Sequence, residues 1–432
     1  MADRTKAPEV YPIPPQKLPE LEKILLPNGA GLTILRSHCD TEVFRLSAVH
    51  PGGPAFSHAP GVAELYHANL QDGTSTRTSA EIADSIERLG SWFISNRTSH
   101  HNTEHLFGLT GKAEEVLPIF ADVLRNPVFP DENFRVRQKN MAQQILLKAA
   151  KVESMAAKAT REAIWPEGHP SAHTNSADDV MRLTTEDLHR FHRHIFRPSE
   201  FQFFLAGNIT PGLERAVADI CGSLEPIDDA DNDELIIKPW GTVDSCNDTI
   251  RHIDVPGSMQ AAISLAVPAI GRDHRDYNML RLAIVALGGY FGSRLMANLR
   301  EDKGYTYGIS AGLLGSIDGG IVSISTECRA DVADAAVKEI RSEFERMLND
   351  PLNADELQRL KGYIMSQQAS ALDSPFTIID TAINHLTIGT PEDYYERTNE
   401  AVIQATPELL AEVASRHLSL GRAFTAVAGS DQ

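Results

Sequence analysis

An α+β fold built from two duplicated domains, each a mostly antiparallel sheet packed with helices, is predicted by three features of the 432-residue sequence. The stretch 125–144 returns, altered, at 349–368. Short hairpin-like strands mix with amphipathic helices in each half. No regular β-α-β alternation appears, and no G-x-G-x-x-G follows a strand, so a doubly wound parallel sheet is not indicated.

The duplication rests on matched turn, cap and helix text. RNPVFPDENFRVRQKNMAQQ (125–144) aligns with NDPLNADELQRLKGYIMSQQ (349–368), with Pro127 matching Pro351, an offset of 224. In the same frame Asp131 matches Asp355, Glu132 matches Glu356, Arg135 matches Arg359, Met141 matches Met365, and Gln143-Gln144 match Gln367-Gln368. FFLAG (203–207) parallels TAVAG (425–429) near the two domain ends.

Along the chain, the proline-rich residues 1–20 read as an extended arm. A first domain follows over 21–224. Phe44 to Val49 alternates as a half-buried strand should, and Gly52, Gly53 and Pro54 end it. A helix is expected from about Pro60 to Gln71, stopped by Asp72-Gly73. Ser79 can cap the next one, whose apolar face carries Ile82, Ile86 and Leu89 and which Gly90 closes. Strand-like text runs from Trp92 to Leu109. Helices are expected at 114–125, 131–151 and 185–196, with a strand at 201–206. The acidic stretch EPIDDADNDE (225–234) opens a linker placed at 225–247, and a second domain occupies 248–432.

Composition excludes several classes. The net charge of −19 argues against nucleic-acid and anionic-membrane partners. Cys39, Cys221, Cys246 and Cys328 are scattered and fit reduced thiols rather than a disulfide framework or a zinc knuckle. No stretch nears the ~18 apolar residues of a membrane span. The N-terminal text has neither the apolar core of a signal peptide nor the acid-free character of a transit peptide, so a cytoplasmic location is expected.

The segment Gly61-Val62-Ala63-Glu64-Leu65-Tyr66-His67-Ala68, followed by Gly73-Thr74, resembles the signature of the inverted-zincin peptidases. This is the pitrilysin/insulinase family, which includes pitrilysin, insulin-degrading enzyme and the mitochondrial processing peptidase. Its helix carries H-x-x-E-H, because residues i and i+4 share a helical face and can place two imidazoles on one Zn²⁺. The glutamate between them deprotonates the zinc-bound water. Here the glycine, alanine and threonine frame survives and the chemistry does not. Glu64 stands at the first ligand position, His67 at the general-base position and Ala68 at the second ligand position. The third ligand, a glutamate 76 residues on in the family, falls on Gln144. No zinc of its own is therefore expected, and Glu64 and His67 are expected to hydrogen-bond as an i, i+3 pair.

Two literal motifs compete. His101-Asn102-Thr103-Glu104-His105 reads H-x-x-E-H but lies in strand-like text, where residues four apart sit ~13 Å apart and Glu104 points to the other face. Gly308-Ile309-Ser310-Ala311-Gly312 reads G-x-S-x-G, yet no helix directly follows, as a nucleophile elbow requires. His189, His192 and His194 fit a solvated helix face.

In the second half, Gly288-Gly289-Tyr290-Phe291-Gly292 and then Arg300 to Tyr307 resemble the C-terminal signature of the same family. There an arginine and a tyrosine seven residues later bind substrate backbone beside the zinc. The resemblance gives those roles to Arg300 and Tyr307. On chemistry alone, a guanidinium fork and a phenol make a stabiliser for an oxyanion. Gly288, Gly289 and Gly292 read as a tight helix-terminating turn, similar to the glycine-rich loop of the family's non-catalytic subunits.

The resemblance implies a zinc-less subunit that lends substrate grip and chamber wall to a zinc-bearing homologous partner, with peptides as substrate or ligand. Two other readings stand beside it. One is a purely structural or peptide-binding homodimer. The other is an active metallopeptidase using a displaced site around His101 and His105.

Overall fold

The computed structural model describes residues 13–36, 40–172, 174–227, 235, 241–243, 246–316 and 319–430. Most of the acidic linker and the first twelve residues of the arm lie outside them, as does Cys39. Two sheets organise the chain. The first contains β1 (Glu22–Leu25), β2 (Gly31–Ile34), β3 (Val43–Pro51), β4 (Trp92–Arg97), β5 (His101–Leu109) and β6 (Gln202–Gly207), in the order β1-β2-β6-β3-β5-β4. The second contains β7 (Thr249–Asp254), β8 (Gln260–Ala269), β9 (Ile309–Ser316), β10 (Gly319–Arg329) and β11 (Phe424–Gly429), in the order β7-β11-β8-β10-β9.

Without β1 the two orders are the same. The parallel ladders also fall at equivalent places, β2 beside β6 and β7 beside β11, while the other ladders are antiparallel. The repeat read in the text is thus a repeat of topology.

The helices of the first half are α1 (Val62–Asn69), α2 (Ser79–Arg88), α3 (Ala113–Arg125), α4 (Asp131–Ala149), α5 (Val152–Ile164), α6 (Ala177–Arg182), α7 (Thr185–Ile195) and α8 (Pro211–Gly222). Those of the second are α9 (Tyr277–Ile284), α10 (Ala333–Asn349), α11 (Ala354–Ser370), α12 (Pro375–Thr387), α13 (Tyr394–Gln404) and α14 (Pro407–His417). The cap of α2 is one residue earlier than expected. Thr78, not Ser79, accepts from the Glu81 backbone N–H, and Glu81 reaches back to Thr78 in a capping box.

Two helices cross over. From the first half, α5 lays Ala156, Ala159 and Ile164 on the second sheet, against Ala262, Ala266, Phe424 and Ala426. From the second half, α12 lays Ile378, Ile379 and Ile383 on the first sheet, against Val49, Phe204 and Ala206. Small residues on α5 and its target strands let helix and sheet approach closely. This exchange corrects the reading of β3 as half-buried: seven of its nine residues are buried, because α12 covers the face that carries Arg45 and Ser47. Arg45 is held there by Asp380 at 2.8 Å and by the Phe376 carbonyl at 2.9 Å. Ser47 shares a 2.8 Å hydrogen bond with His105 Nδ1. Arg45 also stacks against Phe107 and Phe376, each ring centroid 5.6 Å away.

Candidate functional site

The degenerate zinc segment does form a helix. Gly61 precedes α1 at φ +87, a left-handed conformation that favours glycine, and its carbonyl accepts from Leu65 N–H at 3.0 Å. Val62, Ala63, Leu65, Tyr66 and Asn69 bury one face of α1. Tyr66 fixes its orientation, its hydroxyl 2.9 Å from His192 Nδ1, while His192 Nε2 lies 3.1 Å from the Arg125 carbonyl. His192 is therefore a buried structural residue, contrary to the solvated-face reading of the α7 histidines. Burial lowers its pKa to about 4 and keeps the ring neutral.

Glu64 and His67 project from the half-exposed side of α1 towards the β4–β5 hairpin. They do not pair with each other. The Glu64 carboxylate lies 3.1 Å from Arg97 Nη1, and His67 Nδ1 lies 3.9 Å from Glu104 Oε1. The reason is strand alternation. Ser95 and Arg97 share one face of β4, and Ser95 is directly opposite Glu104 on β5. Ser95 donates its hydroxyl proton to the Glu104 carboxyl. Burial pushes the Glu104 pKa up to about 8, so it is uncharged at neutral pH. Burial, reinforced by Arg97, lowers the pKa of His67. The surface facing α1 thus carries one matched ion pair and two neutral groups.

These residues do not fit an activating zinc ion. Ala68 has no donor atom, the Glu64 carboxylate is already neutralised by a guanidinium, and Gln144 is an exposed amide on α4. Sequence reasoning missed Arg97, Ser95 and Glu104 as members of this surface. Period-two alternation in 92–97 was the signal available, but it does not say which helix the hairpin faces.

The literal H-x-x-E-H is divided between the two faces of the sheet. Glu104 points to α1, while His105 bonds Ser47 and lies near Arg45 and Asp380 on the α12 side. Burial holds both His101 and His105 near pKa 4. Ser310 sits inside β9, and strand β10 follows rather than a helix, so no nucleophile elbow forms.

In the second half, α9 runs into a π-helical turn, Val285–Gly289, and a second π-helical segment spans Met296–Asp302 with Arg300 in its last turn. A Cβ on Gly288 would meet the Ala311 Cβ at 2.6 Å and its backbone nitrogen at 2.8 Å, so the residue permits the turn to close on β9. Gly289 and Gly292 flank Tyr290, whose ring stacks on Tyr363. Arg300 makes no ion pair among the described residues. Its guanidinium sits 4.8 Å from the Phe291 ring centroid, and Phe291 is itself exposed.

Tyr307 is 95% exposed. The loop bearing it is pinned by Thr306, whose hydroxyl donates to the Glu327 carbonyl at 2.7 Å and accepts from Thr326 at 2.8 Å. Tyr307 borders a groove of about 460 Å³ with Ser323, Ser325 and Glu327 of β10 and Glu153, Ala156 and Ala157 of α5. No bond joins Arg300 to Tyr307.

The crossing helix α5 links the two regions. Its start lines the Tyr307 groove, and its end, with Glu162, lines a second cavity of about 600 Å³ bordered by Gly61 and Glu64. Glu153 and Glu162 are nine residues apart, or about 14 Å along a helix.

Comparisons with known proteins agree with this architecture. Residues 182–363 match the family model described as Peptidase M16 inactive domain. An uncharacterised zinc protease of Mycobacterium tuberculosis is 24% identical over 380 residues, covering 85% of this chain and 84% of that protein. One from Bacillus subtilis is 23% identical over 346 residues, covering 79% and 81%. Among solved structures, a peptidase M16 inactive domain from Pseudomonas fluorescens superposes with a TM-score of 0.86 at 24% identity, covering 95% of this chain and 98% of the other. A protease from Helicobacter pylori gives 0.86 at 16% identity, covering 96% and 100%. These similarities show the fold, a duplicated α+β architecture shared with solved M16-type peptidase structures, and residues 182–363 are similar to the M16 inactive domain.

Proposed function

We propose that this chain is a zinc-less subunit of an M16-type peptidase and acts with a zinc-bearing homologous subunit to hydrolyse peptides. It needs no zinc for this role and supplies chamber wall and substrate grip. The reading is carried by the contrast between the two halves. Where the family helix bears ligands, this chain bears the Glu64–Arg97 ion pair and Ala68. Where the family grips substrate, it keeps Arg300 free of acidic partners among the described residues and Tyr307 almost wholly exposed. A cationic fork and a phenol free of internal work can donate to a peptide carbonyl presented from outside, and donors aimed at a developing oxyanion are worth several kcal/mol in related chemistry.

Mixing the chain with a homologue that has an intact H-x-x-E-H, then following cleavage of a quenched fluorescent peptide, tests the proposal. Cleavage by the pair and none by this chain alone is expected. No gain on mixing would contradict it and favour the structural or peptide-binding homodimer. No helix among the described residues is long and apolar enough to cross a membrane.

A further inference from the structure

His274, Asp276 and His417 offer ligand atoms that all lie within 4.8 Å of one another. They come from two helix ends. His274 and Asp276 immediately precede α9, with Asp276 at its N-cap, and His417 is the last residue of α14. The two helices pack side by side. His417 Nε2 is 2.8 Å from Asp276 Oδ2, and His274 Nδ1 accepts the Asp276 backbone N–H at 3.1 Å. The imidazole rings meet edge to face with centroids 4.9 Å apart. All three residues are half-buried, so an ion can reach them from solvent.

We propose that these three residues bind a divalent transition-metal ion of the Zn²⁺ type, with water as the fourth ligand, and that the ion clips the start of α9 to the end of α14. Two imidazoles and one carboxylate suit Zn²⁺, Co²⁺ or Ni²⁺ and not the all-oxygen sites of Mg²⁺ or Ca²⁺. The ion replaces the hydrogen bond between His417 and Asp276: the neutral imidazole carries its proton on Nδ1 and ligates through Nε2. His274 exchanges its backbone hydrogen bond for the metal.

Arg416 Nη1, now 3.0 Å from Asp276 Oδ2, moves away but keeps its second partner, Glu412. Arg275 Nε, 3.6 Å from Asp276 Oδ1, is a further cation at the site. These two guanidiniums oppose the ion, so affinity is moderate and depends on Arg416. The ligand atoms close by side-chain rotation to the ~3.3 Å spacing of tetrahedral ligands at ~2.0–2.1 Å from zinc. This site is independent of the α1 region and of the peptidase reading.

The test is a Zn²⁺ titration of the full chain, stripped with chelator, in competition with a chromophoric chelator. One equivalent is expected to bind. Separate His274→Ala and His417→Ala variants should each weaken binding about ten-fold or more, and Arg416→Ala should bind as well as or better than the parent. His417→Cys should keep the metal and, with Co²⁺, show a thiolate charge-transfer band, which a failure of folding in the alanine variants could not imitate. Equal affinity in the parent and the His274→Ala/His417→Ala double variant, or no band from His417→Cys, would overturn the proposal.

Discussion

The Glu64 carboxylate lies 3.1 Å from the Arg97 guanidinium, across the side of α1 that faces the β4–β5 hairpin. That contact puts a positive charge beside Glu64, the position that the sequence resemblance gives to a first zinc ligand. Restoring the motif alone, by Glu64→His, His67→Glu, Ala68→His and Gln144→Glu, should therefore give only weak zinc binding. Adding Arg97→Ser should tighten it about ten-fold or more, since removing one nearby like charge is worth at least 1.4 kcal/mol in this setting. Equilibrium dialysis in a His274→Ala/His417→Ala background reads the difference. Equal affinities with and without Arg97 would remove the ion pair from the account.

Stability should peak at about pH 7, where the protons still gained by five unfolded histidines balance the one lost from unfolded Glu104. His50, at about 3, and His101, His105, His169 and His192, at about 4, are held below their ordinary 6.5 by burial. The unfolded chain therefore binds more protons in this range, and stability is lost as pH falls from 6.5 towards 4. Glu104 works on the other side. Its folded pKa of about 8 exceeds 4.5, so the unfolded state ionises first and stability falls as pH rises towards 8. Between pH 6.5 and 8 Glu104 alone withdraws roughly 2 kcal/mol, about what the five histidines still add, so the parent's stability is nearly flat over that range. Urea unfolding of the parent and of Glu104→Gln across this range measures it: from pH 6.5 to 8 the variant should gain roughly 2 kcal/mol relative to the parent, with the acid limb left in place.

The exchanged helices should make the two halves unfold together. Ile379 of α12 is fully buried against the first sheet. Ile379→Ala should cost about 2–5 kcal/mol. It should lower a single denaturant transition, not one of two, when followed separately by tryptophan fluorescence and far-UV circular dichroism. Two resolved transitions would show that the exchange does not couple the halves.

Tyr307→Phe is expected to leave stability within about 0.5 kcal/mol of the parent, because a side chain this exposed packs against little. Thermal melts check this. A large loss would mean that the phenol serves the fold and would weaken its assignment to substrate.

The duplication was legible because Pro127 and Pro351 each precede a helix with matching text, α4 and α11, in halves whose sheets share one strand order. Strand text around His101 was enough to dismiss its H-x-x-E-H, since alternation separates Glu104 from His105 whatever the tertiary packing. Arg45 and Ser47 misled, because polar alternation in β3 looks like a solvent face until α12, more than 300 residues away, covers it. The expected Glu64–His67 pair failed for the same reason. Local spacing on a helix says which side chains are neighbours, but Arg97 and Glu104 arrive from a hairpin and compete for them. Cross-packing of this kind leaves no periodic trace in the sequence.

Substitution of Arg300 tests the central claim most directly. The chain is combined with a zinc-bearing homologue, and peptide cleavage is compared for the parent and for Arg300→Ala at equal complex concentration. A loss of about 100-fold in rate, with the complex still formed, is the expected result. Equal rates for the two complexes would contradict it.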